Sequence, residues 1–302
     1  MAAPDRLTVA TAQYPVGAPA TLADWRDKIA AWVAAGAATG ADLLVFPEYA
    51  AIEQAATFGP EVTGDLLATL AAVAGEAGER VAFHAELASE YGVCILVGSG
   101  PVEGSDGRYR NAAQLVTPAG LVGEQEKLIM TPFEHGWGVA AGGPVRVFDT
   151  SIGRVAVAIC YDSEFPLTVR AMAEAGAELL LVPSCTERLS GFHRVRTGAK
   201  ARALESQIAV VTSPLIGEAP WSAAIDVNTG AAGLFVPSEH GVSDTGIIAE
   251  GTIDKPEWVV GTFDFAGLRR LRSGGEMRNY ADWTAQVGAS LLAHHVEIVD
   301  LR

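Results

Sequence analysis

The stretch of sequence that decides the fold is GRVAVAIC at residues 153–160, followed at once by YDSEFP at residues 161–166. An apolar run of this length is typical of a buried strand, and it predicts Cys160 at the strand's C-terminal end. In α/β sheets, reactive groups gather outside the carboxyl ends of strands, where the next turn exposes backbone N–H groups. A free cysteine is more often a small buried apolar residue, so Cys160 alone is a weak candidate nucleophile.

Two further segments place charged residues after apolar runs. The sequence LLVFPEY at residues 43–49 predicts a short strand that stops at proline and is followed by Glu48. In EKLIMTPFE at residues 126–134, Lys127 follows a predicted hairpin, and Glu134 lies seven residues further on. Each of these charged side chains, taken singly, is more often exposed to solvent.

The three segments together indicate a catalytic site. A glutamate, a lysine and a cysteine near the ends of apolar segments supply a base, a partner for an oxyanion and a nucleophile. This set is sufficient for acyl transfer through a thioester. Glu48, Lys127 and Cys160 are therefore the candidate catalytic residues.

In this order, the three motifs resemble the signature of the nitrilase superfamily of carbon–nitrogen hydrolases. The resemblance spans roughly residues 6–265, and RYRNAA at residues 108–113 and ARALE at residues 201–205 support it. It implies an α/β fold built as a four-layer α-β-β-α sandwich. The periodicity alone does not distinguish this arrangement from one large doubly wound sheet.

The resemblance also implies a role for each candidate. Cys160 is the nucleophile and Glu48 is the base that takes its proton. The ammonium of Lys127 and the backbone N–H of Tyr161 hold the oxyanion. Glu134 matches a second glutamate of the family and is predicted to orient Lys127 and the substrate or water. The alternative for Glu134 is an ordinary ion pair with Lys127.

The residues after Cys160 narrow the predicted reaction. Cys-Tyr-Asp at residues 160–162 is typical of amidases of the family, whereas members that attack nitriles usually carry Cys-Trp-Glu. We expect hydrolysis of a small, non-peptide amide to a carboxylic acid and ammonia. The alternatives are a nitrile or N-carbamoyl hydrolase, or a soluble acyltransferase with the same site. Glu164 stands where amidases often have arginine. It would disfavour a carboxylate substrate unless it turns away and pairs with Arg170.

Five residues that follow motif or strand ends are candidates for substrate contact, although each could equally pack in a wall. They are Tyr49, His135, Trp137, Cys185 and Thr186. A histidine is not needed to activate the nucleophile once Glu48 is the base.

Composition limits the possible partners, cofactors and location of the protein. Hydrophobic residues make up 49% of the 302 residues, charged residues 19%, and the formal net charge is −15. We expect a compact soluble protein that does not bind nucleic acid or anionic membranes. The three sparse cysteines, at 94, 160 and 185, favour a reducing compartment. Only His294 and His295 are adjacent histidines, so no metal or other cofactor is expected. Residues 1–6 lack a leader pattern, and no apolar run reaches about 18 residues, which predicts the cytoplasm.

The order of elements predicts one catalytic domain over residues 1–270. Strands are predicted at 7–13, 43–46, 93–98, 155–160, 179–182 and 208–212, helices at 23–38, 64–91, 166–175 and 192–206, and later antiparallel strands at 223–227, 232–236, 247–253 and 259–265. Residues 271–302 carry little strand pattern. By resemblance they form a tail that packs on a partner subunit, in a homodimer or a higher even-numbered homo-oligomer.

Overall fold

The structure is a computed structural model that describes residues 4–286 and 296–302. The first three residues of the predicted leaderless N-terminus and the His294–His295 pair lie outside the described residues. Within the described ranges, no helix combines the length and the apolar character needed to cross a membrane.

The described residues form strands, α-helices and 3₁₀ segments in alternation. The strands are β1 (Arg6–Pro15), β2 (Leu43–Val45), β3 (Cys94–Glu103), β4 (Tyr109–Val116), β5 (Val122–Glu126), β6 (Val145–Thr150), β7 (Gly153–Val157), β8 (Leu179–Ser184), β9 (Ala209–Glu218), β10 (Val227–Asn228), β11 (Gly233–Phe235), β12 (Ile247–Glu250), β13 (Glu257–Asp264) and β14 (Val296–Asp300). The α-helices are α1 (Leu22–Ala37), α2 (Pro60–Thr63), α3 (Leu66–Gly75), α4 (Ala77–Tyr91), α5 (Pro132–Gly136), α6 (Pro166–Glu174), α7 (Leu189–Ser206) and α8 (Phe265–Gly274). The 3₁₀ segments are Ala50–Phe58, Cys160–Glu164 and Ala281–Ala285.

The strands form two sheets that meet along one short edge. The first has the order β13-β1-β2-β3-β4-β5, and β1, β2 and β3 are parallel. The second contains β14, β6, β7, β8, β9, β10, β11 and β12, and β7, β8 and β9 are parallel. A two-residue parallel contact joins β1 to β9, where Tyr14 lies opposite Leu215. Three of the four antiparallel strands predicted late in the chain are confirmed as β11, β12 and β13. The strand predicted at 223–227 is wrong, because residues 223–226 form bends and the short strand β10 begins only at Val227.

Side-chain alternation along the strands separates the layers. In β2, Leu43 and Val45 belong to a core shared with the second sheet, whereas Leu44 belongs to the core under α1, α3 and α4. Helices α6 and α7 add apolar residues such as Met172 and Ala199 to the core of the second sheet. Since successive side chains of a strand point to opposite faces, the first sheet is covered on both sides. The four-layer α-β-β-α sandwich implied by the resemblance is confirmed.

Two elements differ from their predictions. The single helix predicted over residues 64–91 is wrong: α3 and α4 separate at Glu76, between Gly75 and Gly78, because glycine weakens a helix interior. The expectation of no strand after residue 271 is also wrong, because β14 pairs in parallel with β6. Strand β14, with the sequence VEIVD, is a short strand at the edge of the sheet. It is too short for alternation of apolar and polar residues to reveal it in the sequence.

The described part of the predicted tail contacts its own chain. The carbonyl oxygen of Tyr280 accepts a hydrogen bond of 2.9 Å from Nη2 of Arg170, and the Arg170 guanidinium lies 4.4 Å from the Tyr280 ring centre and 4.7 Å from that of Trp283. The boundary at residue 270, the packing of the tail on a partner subunit and the homodimer stay predictions.

Candidate active site

Three strand ends converge on one cavity of about 320 Å³. Glu48 follows β2, Lys127 follows β5 directly, and Cys160 lies three residues beyond β7, where it begins a 3₁₀ turn. All three side chains line the cavity, and so does Glu134 from α5. The structure therefore brings together the three residues that the sequence argument placed at segment ends and Glu134, which the resemblance indicated.

Cys160 has an unusual backbone conformation. Its φ is 49°, in the left-handed region that costs a residue with a Cβ about 1–2 kcal/mol. The following turn holds it there, because the Ser163 hydroxyl donates a 2.6 Å hydrogen bond to the Cys160 carbonyl oxygen. The conformation directs the turn from β7 toward α6 and presents Cys160 at the cavity.

Hydrogen bonds of Asp162 connect this turn to the segment that contains Lys127. Its buried carboxylate accepts hydrogen bonds from the backbone N–H groups of Leu128 (3.2 Å), Ile129 (2.8 Å) and Ile159 (3.3 Å). Burial raises the pKa of Asp162 to about 7, although Lys127 and these N–H groups oppose the rise. Asp162 thus links the Cys160 turn to the Lys127 segment from outside the cavity.

Glu48 is almost fully buried, and the structure accounts for both of its oxygens. Oε1 accepts hydrogen bonds from Lys127 Nζ (2.8 Å) and Asn111 Nδ2 (3.0 Å), and Oε2 accepts one from the N–H of Cys185 (2.9 Å). Burial raises the pKa of the Glu48 carboxyl, an effect that Lys127 opposes and Glu134 reinforces. Glu48 is therefore held in a fixed orientation and is more basic than an exposed carboxylate.

Lys127 lies between two carboxylates. Its ammonium is 2.8 Å from Glu48 Oε1 and 2.7 Å from Glu134 Oε2, and all three side chains are buried. Burial alone would lower the pKa of Lys127, but the two carboxylates outweigh it and raise that pKa. Lys127 is thus a permanent cation at the cavity floor.

Glu134 is positioned by the start of α5. It completes a capping box with Thr131, whose N–H and hydroxyl each donate a 2.9 Å hydrogen bond to Oε2. Its other oxygen accepts hydrogen bonds from the Tyr49 hydroxyl (2.8 Å) and Asn111 Nδ2 (3.2 Å). Burial would raise the pKa of Glu134, but Lys127 outweighs it and the pKa is lowered. The carboxyl group of Glu134 is therefore more acidic than that of Glu48.

The backbone of Cys185 lies between Glu48 and Cys160. Its N–H contacts Glu48, while its carbonyl oxygen is 3.9 Å from Cys160 Sγ. Burial, and next the charge of Glu48, raise the pKa of the Cys160 thiol. Burial also raises the pKa of Cys185, whose thiol donates a 3.1 Å hydrogen bond to Asn228 Oδ1. Neither cysteine is a resting thiolate in this arrangement.

Four of the five predicted substrate contacts line the cavity, together with Tyr161: these are Tyr49, Trp137, Cys185 and Thr186. His135 is the exception, because it is absent from the described residues that line the cavity and its side chain is exposed. On a short helix, the residue after Glu134 is rotated by about 100° away from the face that Glu134 occupies. The structure therefore does not bring His135 into the cavity with the other four, and its contact with substrate stays a prediction.

The structure also shows contacts at the site that differ from the sequence expectations or were not expected. Glu164 lines it and pairs with Arg194 at 3.3 Å, not with Arg170, whose guanidinium lies 2.9 Å from Glu174 one helical turn away. Asn111 was quoted only as part of the hairpin strand, yet its side chain contacts both buried carboxylates. Only its place in β4, one strand before the lysine, could have indicated it.

Among the described residues, no three histidine, cysteine or acidic side chains are grouped in a way that could hold a metal ion. The buried charges of the cavity are instead satisfied by one another.

The chain is similar to known proteins over most of its length. It matches the family model described as carbon-nitrogen hydrolase over residues 8–236. It is 38% identical over 205 residues to the probable hydrolase YhcX of Bacillus subtilis (strain 168), a match that covers 68% of this chain and 40% of that protein. It is 28% identical over 262 residues to an (R)-stereoselective amidase of Pseudomonas sp, covering 82% of this chain and 88% of the amidase.

A solved structure has the same fold. Nit3 of Saccharomyces cerevisiae, described as a member of branch 10 of the nitrilase superfamily, has a TM-score of 0.71 and 20% sequence identity. The match covers 91% of this chain and 98% of Nit3.

Proposed function

This chain belongs to the carbon–nitrogen hydrolase family of the nitrilase superfamily, and we propose that it hydrolyses a non-peptide amide of a small molecule through a thioester on Cys160. The observation that carries the proposal is the buried network of Glu48, Lys127 and Glu134 in the same cavity as the Cys160 thiol. A cavity of about 320 Å³ is at the small end of ligand pockets, which supports a small-molecule substrate.

In the first half of the reaction, the thiol proton of Cys160 moves to Glu48, and the sulfur lone pair attacks the amide carbonyl carbon. The carbonyl oxygen becomes an oxyanion beside the Lys127 ammonium and the Tyr161 N–H. One such donor is typically worth about 3–4 kcal/mol of the barrier. Glu48 then gives its proton to the departing nitrogen, the carbon–nitrogen bond breaks, and ammonia leaves a thioester behind.

In the second half, Glu48 takes a proton from water, and the resulting hydroxide attacks the thioester carbonyl. The carbon–sulfur bond breaks, and Glu48 returns the proton to the Cys160 thiolate. The sum is amide plus water giving carboxylic acid plus ammonia, with the chain regenerated.

The direction of the pKa shifts supports this division of roles. Burial raises the pKa of both Cys160 and Glu48, so a neutral thiol rests beside an unusually basic carboxylate. Transfer of the proton between neighbours creates the nucleophile only when substrate is present to use it. Lys127 stays charged throughout, which suits a group that stabilises an oxyanion rather than a group that exchanges protons.

The choice of an amide over a nitrile rests on the Cys160-Tyr161-Asp162 sequence and on the similarity to the Pseudomonas amidase. Release of ammonia from short aliphatic amides, ω-amides, N-carbamoyl amino acids and nitriles tests this choice. We expect turnover of one of the amide classes, no turnover by Cys160→Ala, and normal turnover by the matched variant Cys94→Ala, whose cysteine lies within β3. Turnover of nitriles alone, or undiminished release by Cys160→Ala, would refute the proposal.

A further inference from the structure

One buried residue, Asn111, forms hydrogen bonds with all three charged residues of the site through its side-chain amide and its backbone carbonyl oxygen. Asn111 is 1% exposed, and its Nδ2 donates to Oε1 of Glu48 (3.0 Å) and to Oε1 of Glu134 (3.2 Å). Its backbone carbonyl oxygen accepts a 2.7 Å hydrogen bond from the N–H of Lys127. Asn111 takes no part in the proton transfers described above.

The hydrogen bonds of Glu48 distinguish its two oxygens. A carboxylate oxygen has two lone pairs, and those of Oε1 are occupied by Lys127 and Asn111. Oε2 has one lone pair in use, toward the N–H of Cys185, and one remaining. Cys185 is also the residue whose carbonyl oxygen lies 3.9 Å from Cys160 Sγ. The oxygen with remaining capacity is therefore the one on the Cys160 side.

We propose that Asn111 is a positioning residue that holds Glu48 so that Oε2, and not Oε1, takes the proton from Cys160. In that step the Sγ–H bond breaks and an Oε2–H bond forms, while Oε1 stays bound to Lys127 and Asn111. The inference deepens the proposed function and rests on its assignment of Glu48 as the base.

The chemistry of the amide suits this task. Glu48 and Glu134 repel each other, and a second cation between them would neutralise the charge that Glu48 needs in order to act as a base. An amide supplies a donor to both carboxylates without adding charge. The Asn111 Oδ1 atom is buried without a hydrogen-bond partner among the described residues, so the residue is positioned for its N–H groups.

The test compares Asn111→Leu and Asn111→Asp with a matched control, Gln114→Leu. Gln114 lies three residues along the same strand, is also buried, and donates a 2.8 Å hydrogen bond to the Glu124 carboxylate, away from the cavity. The pH dependence of Cys160 alkylation by iodoacetamide is measured by mass spectrometry of the intact protein, and kcat and KM follow on the amide substrate. Circular dichroism and thermal melting establish that each variant is folded.

Loss of the Asn111 donor destabilises the Glu48 carboxylate, so the acid limb of the alkylation profile should move to higher pH by about one unit. We expect this shift in both Asn111 variants, together with a lower kcat and little change in KM, and no shift in Gln114→Leu. A folded Asn111→Leu variant whose acid limb coincides with that of the wild type would overturn the inference. Because alkylation needs no amide turnover, a failure of the proposed function would be seen separately, as absent ammonia release with an intact alkylation profile.

Discussion

The Asp162 carboxylate accepts a 2.8 Å hydrogen bond from the N–H of Ile129, two residues after Lys127. Asp162 also lies two residues after Cys160, so this contact joins the segment that contains Cys160 to the segment that contains Lys127. Neither residue is expected to touch a substrate. The arrangement of the site therefore depends on contacts outside the cavity as well as on those within it.

Replacement of Asp162 by alanine should reduce both stability and turnover. Asp162→Ala leaves the buried N–H groups of Leu128, Ile129 and Ile159 without their acceptor, which we expect to cost about 3 kcal/mol of unfolding free energy. Urea unfolding measures this loss. The matched variant is Asp106→Ala, because Asp106 also accepts several hydrogen bonds but is not buried, and it should leave the unfolding free energy almost unchanged. Equal effects of the two changes would contradict this account.

The backbone of Cys160 should favour glycine. Because its φ is 49°, Cys160→Gly should be more stable than Cys160→Ala by about 1 kcal/mol, the reverse of the usual order. The control is Cys94, which is extended within β3, where the glycine variant should be the less stable one. Thermal melts of the four variants give the comparison. An alanine variant that is the more stable at both positions would show that the Cys160 turn is unstrained.

Removal of the buried Lys127 ammonium should destabilise the fold, because two buried carboxylates would lose their counter-ion. Lys127→Met should cost about 3–5 kcal/mol at neutral pH, because Glu48 and Glu134 would then be buried without their counter-ion. The double variant Lys127→Met with Glu134→Gln should recover part of this stability in urea unfolding but none of the turnover. No recovery in the double variant would mean that Lys127 stabilises the fold by packing rather than by charge.

His84 should make the fold sensitive to acid. Burial lowers its pKa from 6.5 to about 4, and its Nε2 atom has no hydrogen-bond partner among the described residues. The unfolded chain therefore binds a proton that the folded state excludes, and stability falls as the pH drops from 6.5 toward 4. His84 accounts for about 3 kcal/mol of this fall. In His84→Leu the slope of unfolding free energy against pH should be smaller across that window. The matched variant of the exposed histidine, His135→Gln, should keep the wild-type slope; a wild-type slope in His84→Leu would contradict the prediction.

Much of the site could be predicted because its residues follow strand or hairpin ends. Glu48 and Cys160 each follow an apolar run, Lys127 follows a predicted hairpin, and the C-terminal ends of these strands meet at one cavity. Asn111 could not be predicted in this way because it lies inside β4, where alternation predicts only a strand. Its role as a donor depends on two hydrogen bonds, to Glu48 and Glu134, which are distant from it in sequence.

Other features depended on geometry that sequence spacing does not carry. The sequence indicates Arg170, on the helix that follows Glu164, as a possible ion-pair partner of Glu164. The fold instead brings Arg194 of α7 alongside Glu164. His135 was predicted from its closeness to Glu134, although adjacent helical residues face different directions. Strand β14 could not be predicted because its stability comes from pairing with β6 rather than from its own pattern.

The central claim is covalent catalysis by Cys160, and the most direct test is intact-protein mass spectrometry after rapid acid quench during turnover of a good amide substrate. We predict a mass increase equal to the acyl group, mapped to the peptide that contains Cys160 and absent from Cys160→Ala. Glu48→Gln should show neither the adduct nor turnover, because glutamine can take no proton from the thiol. Brisk turnover by the wild type, with no acyl adduct found by quench or by hydroxylamine trapping, would contradict the thioester and favour direct attack by water.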